Sequence, residues 1–369
     1  MSKSPSKSLS KSLSKLQFSA LVVAALCVGC TQAPVPAANS EASVAPVART
    51  SAVPAPAQPS RAPAALAANA VPAIAAPSAV SGWSRQEIAV LPWGSGPNQA
   101  GRVAQGEQNL EAPMAIDGDA QGRVWLLDQV NQRILIVQAG QTTRVIPASR
   151  TAQDIAIAAS GQPWLLDRLV GRNVQLLDPL TGAVQKTLSL TDATITESGL
   201  SSALWQHAGK LWLEMENTYL IALDDPAHPK LTGRPSRDGK WLLTALRVPP
   251  DKVAVAGNAV GQSATEAPKL ALQADFPLPV WAIAELDSDA TGRVWIVADL
   301  VKLGPDDRPV DRKRQAVAWK EDGKVVARIE VCAPVGAEEQ FRTARVLADG
   351  SLLNLCRGPQ GIVIERFAP

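Results

Sequence analysis

The chain has 369 residues, 46% of them hydrophobic and 19% charged, which is apolar material enough for two average domains or one large all-β domain. Its formal charge of +2 belongs to the N-terminus: Lys3, Lys7, Lys11 and Lys15 lie in the first 29 residues with no acid among them, and the other 32 basic residues face 34 acidic ones. A near-neutral body gives no electrostatic case for nucleic acid, and two His, one Tyr and three Met leave few catalytic or metal-ligating side chains.

Residues 1–29 read as a secretory signal peptide: a Ser/Lys tract, then an apolar run from Phe18 to Gly29 broken only by Ser19. That run is too short to remain as a membrane-spanning helix. The small residues Val28-Gly29 before Cys30 resemble the bacterial lipobox, although Cys27 stands where lipoboxes usually carry Leu. The resemblance implies cleavage before Cys30 and acylation of its sulfur, with plain secretion as the alternative. Each buried acyl methylene contributes about 0.8 kcal/mol, so a multiply acylated cysteine is a firm membrane anchor. Thr31 follows the cysteine, not the Asp linked to inner-membrane retention, which implies the outer membrane. Residues 30–81 are almost wholly Ala, Pro, Val, Ser and Thr, with nine prolines and only Glu41, Arg49 and Arg61 charged. Proline at that density disfavours helix and sheet, and the stretch reads as a flexible tether.

From Trp83 the composition changes to short β-type runs with turns, and residues 82–369 read as one domain built from a repeat. Gln86 to Leu91 is a strand with no unit of its own. Met114 to Asp117, Val124 to Asp128, Arg133 to Gln138 and Thr142 to Ile146 then form a four-stranded meander, with a turn at Asp119 to Gly122. Its second-strand signature, Gly122-Arg-Val-Trp125-Leu-Leu-Asp128, returns as Gly161-Gln-Pro-Trp164-Leu-Leu-Asp167, Gly209-Lys-Leu-Trp212 and Gly292-Arg-Val-Trp295, and as Gly350-Ser-Leu-Leu353 with Leu for Trp. The gap between Gly209 and Gly292 holds Asp238-Gly-Lys-Trp241, Lys252 to Ala256 and Leu270 to Ala274, which make one degenerate unit. The last unit offers three strands, Thr343 to Leu347, Ser351 to Cys356 and Ile362 to Phe367. A missing fourth strand would leave an open edge, so Gln86 to Leu91 is expected to pair with Ile362 to Phe367 and clasp the two ends of the domain. A lone four-stranded sheet cannot bury both faces, whereas sheets stacked radially can.

Trp93-Gly-Ser-Gly-Pro-Asn-Gln, Pro113-Met-Ala-Ile-Asp and Gly122-Arg-Val-Trp-Leu-Leu-Asp-Gln-Val-Asn-Gln-Arg-Ile-Leu-Ile-Val resemble the NHL repeat. Only this first unit matches well; the second keeps Trp-Leu-Leu-Asp167 and Gly-Arg172, and later ones little beyond Gly and Trp. The resemblance implies an all-β propeller, and the length from Gly82 suits six four-stranded blades.

Candidate chemistry is sparse. Asp117-Gly-Asp119-Ala-Gln-Gly122, with Asp128 beyond it, and Asp287-Ser-Asp289-Ala-Thr-Gly292 carry alternating oxygens like the start of a calcium loop, but both fall where the repeat needs a turn. His207 and His228 are expected in peripheral turns or loops without a second ligand at zinc spacing. Neither a Gly-x-Ser-x-Gly nor a Walker motif occurs. Asp154, Glu197, Glu285 and Glu339 are the carboxylates expected at first-strand starts round a channel, where some propeller hydrolases and lyases gather metal ligands. Loop carboxylates kept for solubility are the competing reading. On that reading no tight metal site forms, no cofactor is needed, and Asp154→Ala or Glu285→Ala leaves the fold nearly unchanged. Arg312-Lys313-Arg314 reads as a solvated loop cluster neutralised by Asp306, Asp307 and Asp311. With Cys27 removed and Cys30 acylated, Cys332 and Cys356 are the remaining thiols, and in an oxidising compartment they are expected to form a disulfide worth about 3–4 kcal/mol in the chain-entropy model. Two buried free thiols are the alternative. The sequence thus points to a lipid-anchored binding or scaffold module of the cell envelope with a protein or peptidic partner. Its rival is a metal-dependent hydrolase or lyase using the channel carboxylates.

Overall fold

The computed structural model describes residues 82–104, 110–192, 194–262, 266–333 and 339–369. The signal-peptide reading of 1–29, the tether reading of 30–81 and the acylation of Cys30 lie outside the described residues. Among the described residues, 24 strands form six four-stranded antiparallel sheets.

β1 (Ser84–Pro92) comes first in the chain and joins the last sheet. Blade 1 holds β2 (Ala115–Gly118), β3 (Val124–Asp128), β4 (Arg133–Gln138) and β5 (Gln141–Pro147). Blade 2 holds β6 (Asp154–Ile157), β7 (Pro163–Asp167), β8 (Asn173–Leu177) and β9 (Val184–Ser189). In blade 3 these are β10 (Ser201–His207), β11 (Lys210–Met215), β12 (Tyr219–Ala222) and β13 (Lys230–Thr232). The degenerate unit is a complete blade 4, with β14 (Arg234–Pro235), β15 (Trp241–Val248), β16 (Lys252–Ala259) and β17 (Leu270–Asp275). Blade 5 has β18 (Val280–Ser288), β19 (Val294–Leu303), β20 (Pro309–Trp319) and β21 (Val325–Val331). Blade 6 has β22 (Ala344–Val346), β23 (Leu352–Gly358) and β24 (Gly361–Ala368), with β1 as its outer strand. β2 lies beside both β6 and β22, so the innermost strands close into a ring, a six-bladed β-propeller.

The closing strand has the expected register. Gln86 lies opposite Arg366 and Leu91 opposite Ile362, with a bulge between Glu87 and Ala89. β1 therefore converts the exposed edge of β24 into a paired one, and the first and last strands of the ring hold each other.

Strand period two explains the packing between blades. On β3, Trp125 and Leu127 face Ile155, Leu165 and Leu177 of blade 2, while Leu126 faces Leu353, Leu355 and Ile364 of blade 6. Blade 5 does the same: Trp295 and Val297 meet Val346, Leu352 and Phe367 of blade 6, and Ile296 meets Leu272 and Phe276 of blade 4. The second strands β3 and β7 are buried along their whole length because a blade covers each face.

The repeated Gly–Trp spacing has a local cause. Asp119 accepts from the backbone N–H of Gln121 and Arg123, which folds the turn, and its other oxygen accepts the Trp125 indole N–H at 2.7 Å. Asp289 and Trp295 repeat the arrangement at 2.9 Å. Gly122 and Gly292 close these turns at φ +76 and +81, where an L side chain is strained. In these two blades the turn Asp gives the buried indole N–H its acceptor, whereas the Trp212 indole of blade 3 has none among the described residues. The Gly-rich lead-in is fixed by the next turn of the same blade. Arg133 donates to the carbonyls of Ser95, Gly96 and Gln99, and Asp128 accepts from Gly101 N–H and from Arg133 Nε at 2.8 Å. Cys332 and Cys356 have Cα atoms 5.7 Å apart with their sulfurs joined, tying the segment after β21 to β23 between the last two blades.

Candidate functional site

The innermost strands of a propeller run along its axis, so their residues decide what the channel contains. At the end of the ring where these strands begin, a cavity of about 630 Å³ opens. It is lined by Arg168, Arg234, Arg312, Arg314, Arg342 and Arg357, by Glu216, Glu285 and Asp299, and by neutral residues such as Asn217, Phe341 and Thr343. Deeper along the axis, the guanidiniums of Arg342, Arg345 and Arg234 lie 5.3, 4.4 and 4.5 Å from the ring of Trp205, which β10 turns inward. Below that plug, a second cavity of about 570 Å³ opens where the innermost strands end, lined by Asp117, Arg237, Arg345 and Asp349 among others.

Around the axis, acids meet guanidiniums. Asp154, at the first position of β6, accepts the backbone N–H of Ile155 and of Leu204 and pairs with Arg342 at 3.0 Å. Asp117 on β2 pairs with Arg345 at 3.0 Å and accepts Ile157 N–H. Glu214 on β11 holds Arg234 through both its oxygens. Asp287 accepts from Arg237 at 2.7 Å, and Asp299 holds Arg314, whose other amino group reaches Thr343. Charges taken out of water in this way persist only when paired and hydrogen-bonded.

The pairs are not electrostatically equivalent. Burial works to raise the Asp117 pKa, but Arg345 and Arg342 outweigh it and hold the carboxyl below its ordinary value. At Asp154 burial wins over the same kind of neighbour, and the carboxyl is pushed up despite Arg342. Glu285 is the extreme case. Burial raises it to about 7 against the pull of Arg234, Arg345 and Arg342, and its Oε1, 3.5 Å from Arg234, makes no hydrogen bond.

A carboxyl whose folded pKa lies above its unfolded value adds stability that is complete below the unfolded pKa and lost as pH rises through the folded one. For Glu285 that window runs from the ordinary value of 4.5 to about 7. Glu285→Gln keeps the shape and stays neutral, so it is expected to match the wild type below about pH 4 and to exceed it by about 3 kcal/mol above pH 8, because raising a pKa by one costs the charged form about 1.4 kcal/mol. Urea unfolding of both proteins across that range checks it.

The sequence-predicted residues are therefore divided. Asp154 and Glu285 do lie on innermost strands, but each faces guanidiniums. Glu197 does not join them: it is exposed, and its carboxylate caps the short 3-10 turn Ser198–Leu200 by accepting Gly199 N–H. Glu339 is exposed and bridges to Glu111 through the backbone. The calcium-like loops do not gather oxygens, because Asp117 faces Arg345, Asp119 faces Arg123 and Trp125, and Asp128 faces Arg133. His207 is not peripheral: it ends β10 and borders a small cleft with Trp205, Arg237 and Asp287. His228 is held in its loop with Nδ1 at 2.9 Å from the Ala222 carbonyl. Arg312-Lys313-Arg314 is not a solvated loop cluster but part of β20. Strand alternation puts Arg312 and Arg314 toward the cavity and Lys313 on the other face, 3.5 Å from Glu330. The missed residues are the axial arginines. Their signal was positional, since Arg345 occupies in blade 6 the innermost-strand place where blade 1 has Asp117.

No protein-family model and no curated protein matches the chain. Solved structures do resemble it. Hydrazine synthase of Kuenenia stuttgartiensis aligns at 13% identity over 68% of this chain and 78% of that one, with a TM-score of 0.42. Virginiamycin B lyase from Staphylococcus aureus aligns at 10% identity over 78% and 99%, with a TM-score of 0.40. BamB from Moraxella catarrhalis aligns at 10% identity over 77% and 97%, with a TM-score of 0.33. At such identities the likeness is one of fold alone.

Proposed function

We propose that this chain is a lipid-anchored binding module of the bacterial cell envelope, an NHL-type propeller that recognises its ligand at the strand-start end of the ring. In this reading Cys30 carries the acyl anchor, residues 30–81 are the tether, the outer membrane is the destination, and the Cys332–Cys356 disulfide forms in the periplasm. One observation favours binding over metal-dependent hydrolysis or lysis. The axial carboxylates that a metal would need are held by arginines, with Arg342 only 3.0 Å from Asp154 and Arg345 only 3.0 Å from Asp117. A divalent ion at either carboxylate would sit against a guanidinium, and the repulsion of like charges in a buried site is severe.

Two measurements on the full chain test the proposal. Metabolic labelling with a fatty-acid analogue is expected to modify the wild type and not Cys30→Ser, and an unmodified Cys30 ends the anchor reading. Native mass spectrometry is expected to show the protein mass alone after incubation with Zn²⁺, Mg²⁺ or Ca²⁺. A stoichiometric ion lost on Asp154→Asn would replace the binding module by the enzyme.

A further inference from the structure

We propose that the strand-start end of the propeller docks an acidic linear peptide, its carboxylates entering the arginine-lined cavity and a neighbouring apolar side chain packing in the groove beside Trp281. The proposal rests on the binding-module reading above and gives that site its ligand class.

Arg234 and Arg342 line the cavity with their guanidiniums already engaged, Arg234 by Glu214, Glu285 and the Leu286 carbonyl, and Arg342 by Asp154 and the Leu204 and Ile155 carbonyls, so they add positive charge at its wall. Arg168 adds a cation that donates to the backbone carbonyls of Gly199 and Ser201 and stacks over Phe341 at 4.9 Å, with Glu339 and Asp154 the charges that favour it. Arg312, exposed at the rim, makes neither an ion pair nor a side-chain hydrogen bond among the described residues. Three acids border the same space: Asp299 is bound by Arg314, Glu216 is exposed, and Glu285 keeps its proton to about pH 7. Below that pH Glu285 is a neutral donor instead of a competing anion. The Arg312 fork can take a carboxylate bidentately, and the engaged guanidiniums behind it add to the positive field.

The second observation distinguishes a peptide from a small anion. A groove of about 410 Å³ adjoins the cavity, shares Glu216, Asn217, Arg234 and Ile283 with it, and continues over Ala245, Leu246 and Trp281. Trp281 is 59% exposed and Leu246 is 70% exposed, large apolar surfaces that the ring leaves in water. On the cavity's other flank Leu200 is exposed on its lining, and exposed Leu169 lies against Gly199. Apolar side chains flanking a cationic centre, with Trp and Arg prominent, are the composition of protein-binding hot spots. A small polyanion would use the cavity and leave the groove empty; an acidic segment with an apolar neighbour fills both.

The test is fluorescence polarisation with the detergent-purified full chain and a fluorescein-labelled peptide alternating Asp or Glu with Leu or Phe. Saturable binding is expected, weakening as NaCl is raised because the contact is between charges. Arg312→Gln and Trp281→Ser, both at exposed side chains, are each expected to lower affinity about tenfold, within the range of interface hot spots. Lys320→Gln, in the turn after β20 at the opposite end of the ring, is expected to leave it unchanged. The proposal is overturned if the peptide fails to bind, if a control peptide with Asn and Gln for Asp and Glu binds as well, or if neither cavity variant has an effect. Loss of affinity in Arg312→Gln alone, with citrate displacing the peptide at equal concentration, would assign the cavity to a small anion and also overturn it. A bound divalent ion in the native mass spectrum would instead remove the binding-module reading itself, so the two failures are distinct.

Discussion

Leu91→Ala is expected to destabilise the propeller by about 2–5 kcal/mol, whereas Val90→Ala, one residue earlier on the same strand, should change it by less than about 0.5 kcal/mol. Leu91 is fully buried among Ile116, Leu126, Ile362 and Ile364, at the seam where the first blade meets the last. Val90 points the other way and is 52% exposed. The difference tests whether β1 is a structural strand of the ring or an edge ornament. Because β1 is the only strand of blade 6 that comes from the N-terminal side of the domain, its loss should open the ring. A chain beginning after Pro92 is therefore expected to expose the edge of β24 and to aggregate, since unpaired edges recruit other strands. Guanidinium or urea unfolding of the two point variants, followed by size-exclusion chromatography of the truncated chain, checks both statements. Equal stability of Leu91→Ala and the wild type would mean that the clasp contributes nothing.

The fold was legible because its signals are local and repeated. A Gly that must take positive φ, and a Trp three residues later that must bury its ring, recur at Gly122 and Trp125 and at Gly292 and Trp295. Their spacing survives divergence because the turn and the inter-blade packing both depend on it. The clasp was legible by subtraction, since one unit lacked a strand and one strand lacked a unit. The site was less legible for a physical reason. Asp154 and Glu285 could be placed near the axis, but the residues that decide their chemistry come from far away in sequence: Arg342 meets Asp154 from blade 6, and Arg234 meets Glu285 from blade 4. A single sequence gives each blade its own pattern and says nothing of which side chains converge from six blades on one axis. For the same reason Arg314 read as a solvated charge: its neighbours in sequence are Asp311 and Lys313, whereas its partner Asp299 lies across the strand pair on β19. Glu197 was misplaced because its loop resembles a strand start, while its carboxylate is used for the local task of capping a 3-10 turn.

Asp154→Ala is expected to cost about 3–5 kcal/mol, contrary to the near-neutral outcome anticipated for a solvated loop carboxylate, because it leaves Arg342 buried and charged without its acid and strips the acceptor from Leu204 N–H. The size of that loss does not measure what the pair is worth. The Asp154 carboxyl is raised, and the Arg342 guanidinium is lowered, each mainly by burial. At Asp154 desolvation outweighs the attraction of Arg342, and at Arg342 desolvation together with the neighbouring Arg345 charge outweighs that of Asp154, so little net stability is expected from the pair. Its neighbour differs: Asp117 is lowered although burial opposes it, and Arg345 is raised although burial opposes it, so there attraction wins. The two pairs lie on the same axis around Trp205 and provide an internal comparison. Replacing both members of the first pair by apolar residues of similar volume, Asp154→Leu with Arg342→Met, should restore most of what Asp154→Ala loses. The same treatment of the second pair, Asp117→Leu with Arg345→Met, should remain destabilised by about 1–3 kcal/mol, since favourable attraction is removed along with the charges. Double-mutant cycles from denaturant unfolding at neutral pH measure both couplings. A larger residual loss at Asp154 and Arg342 than at Asp117 and Arg345 would show that geometry on the axis, not desolvation, sets the worth of these buried pairs.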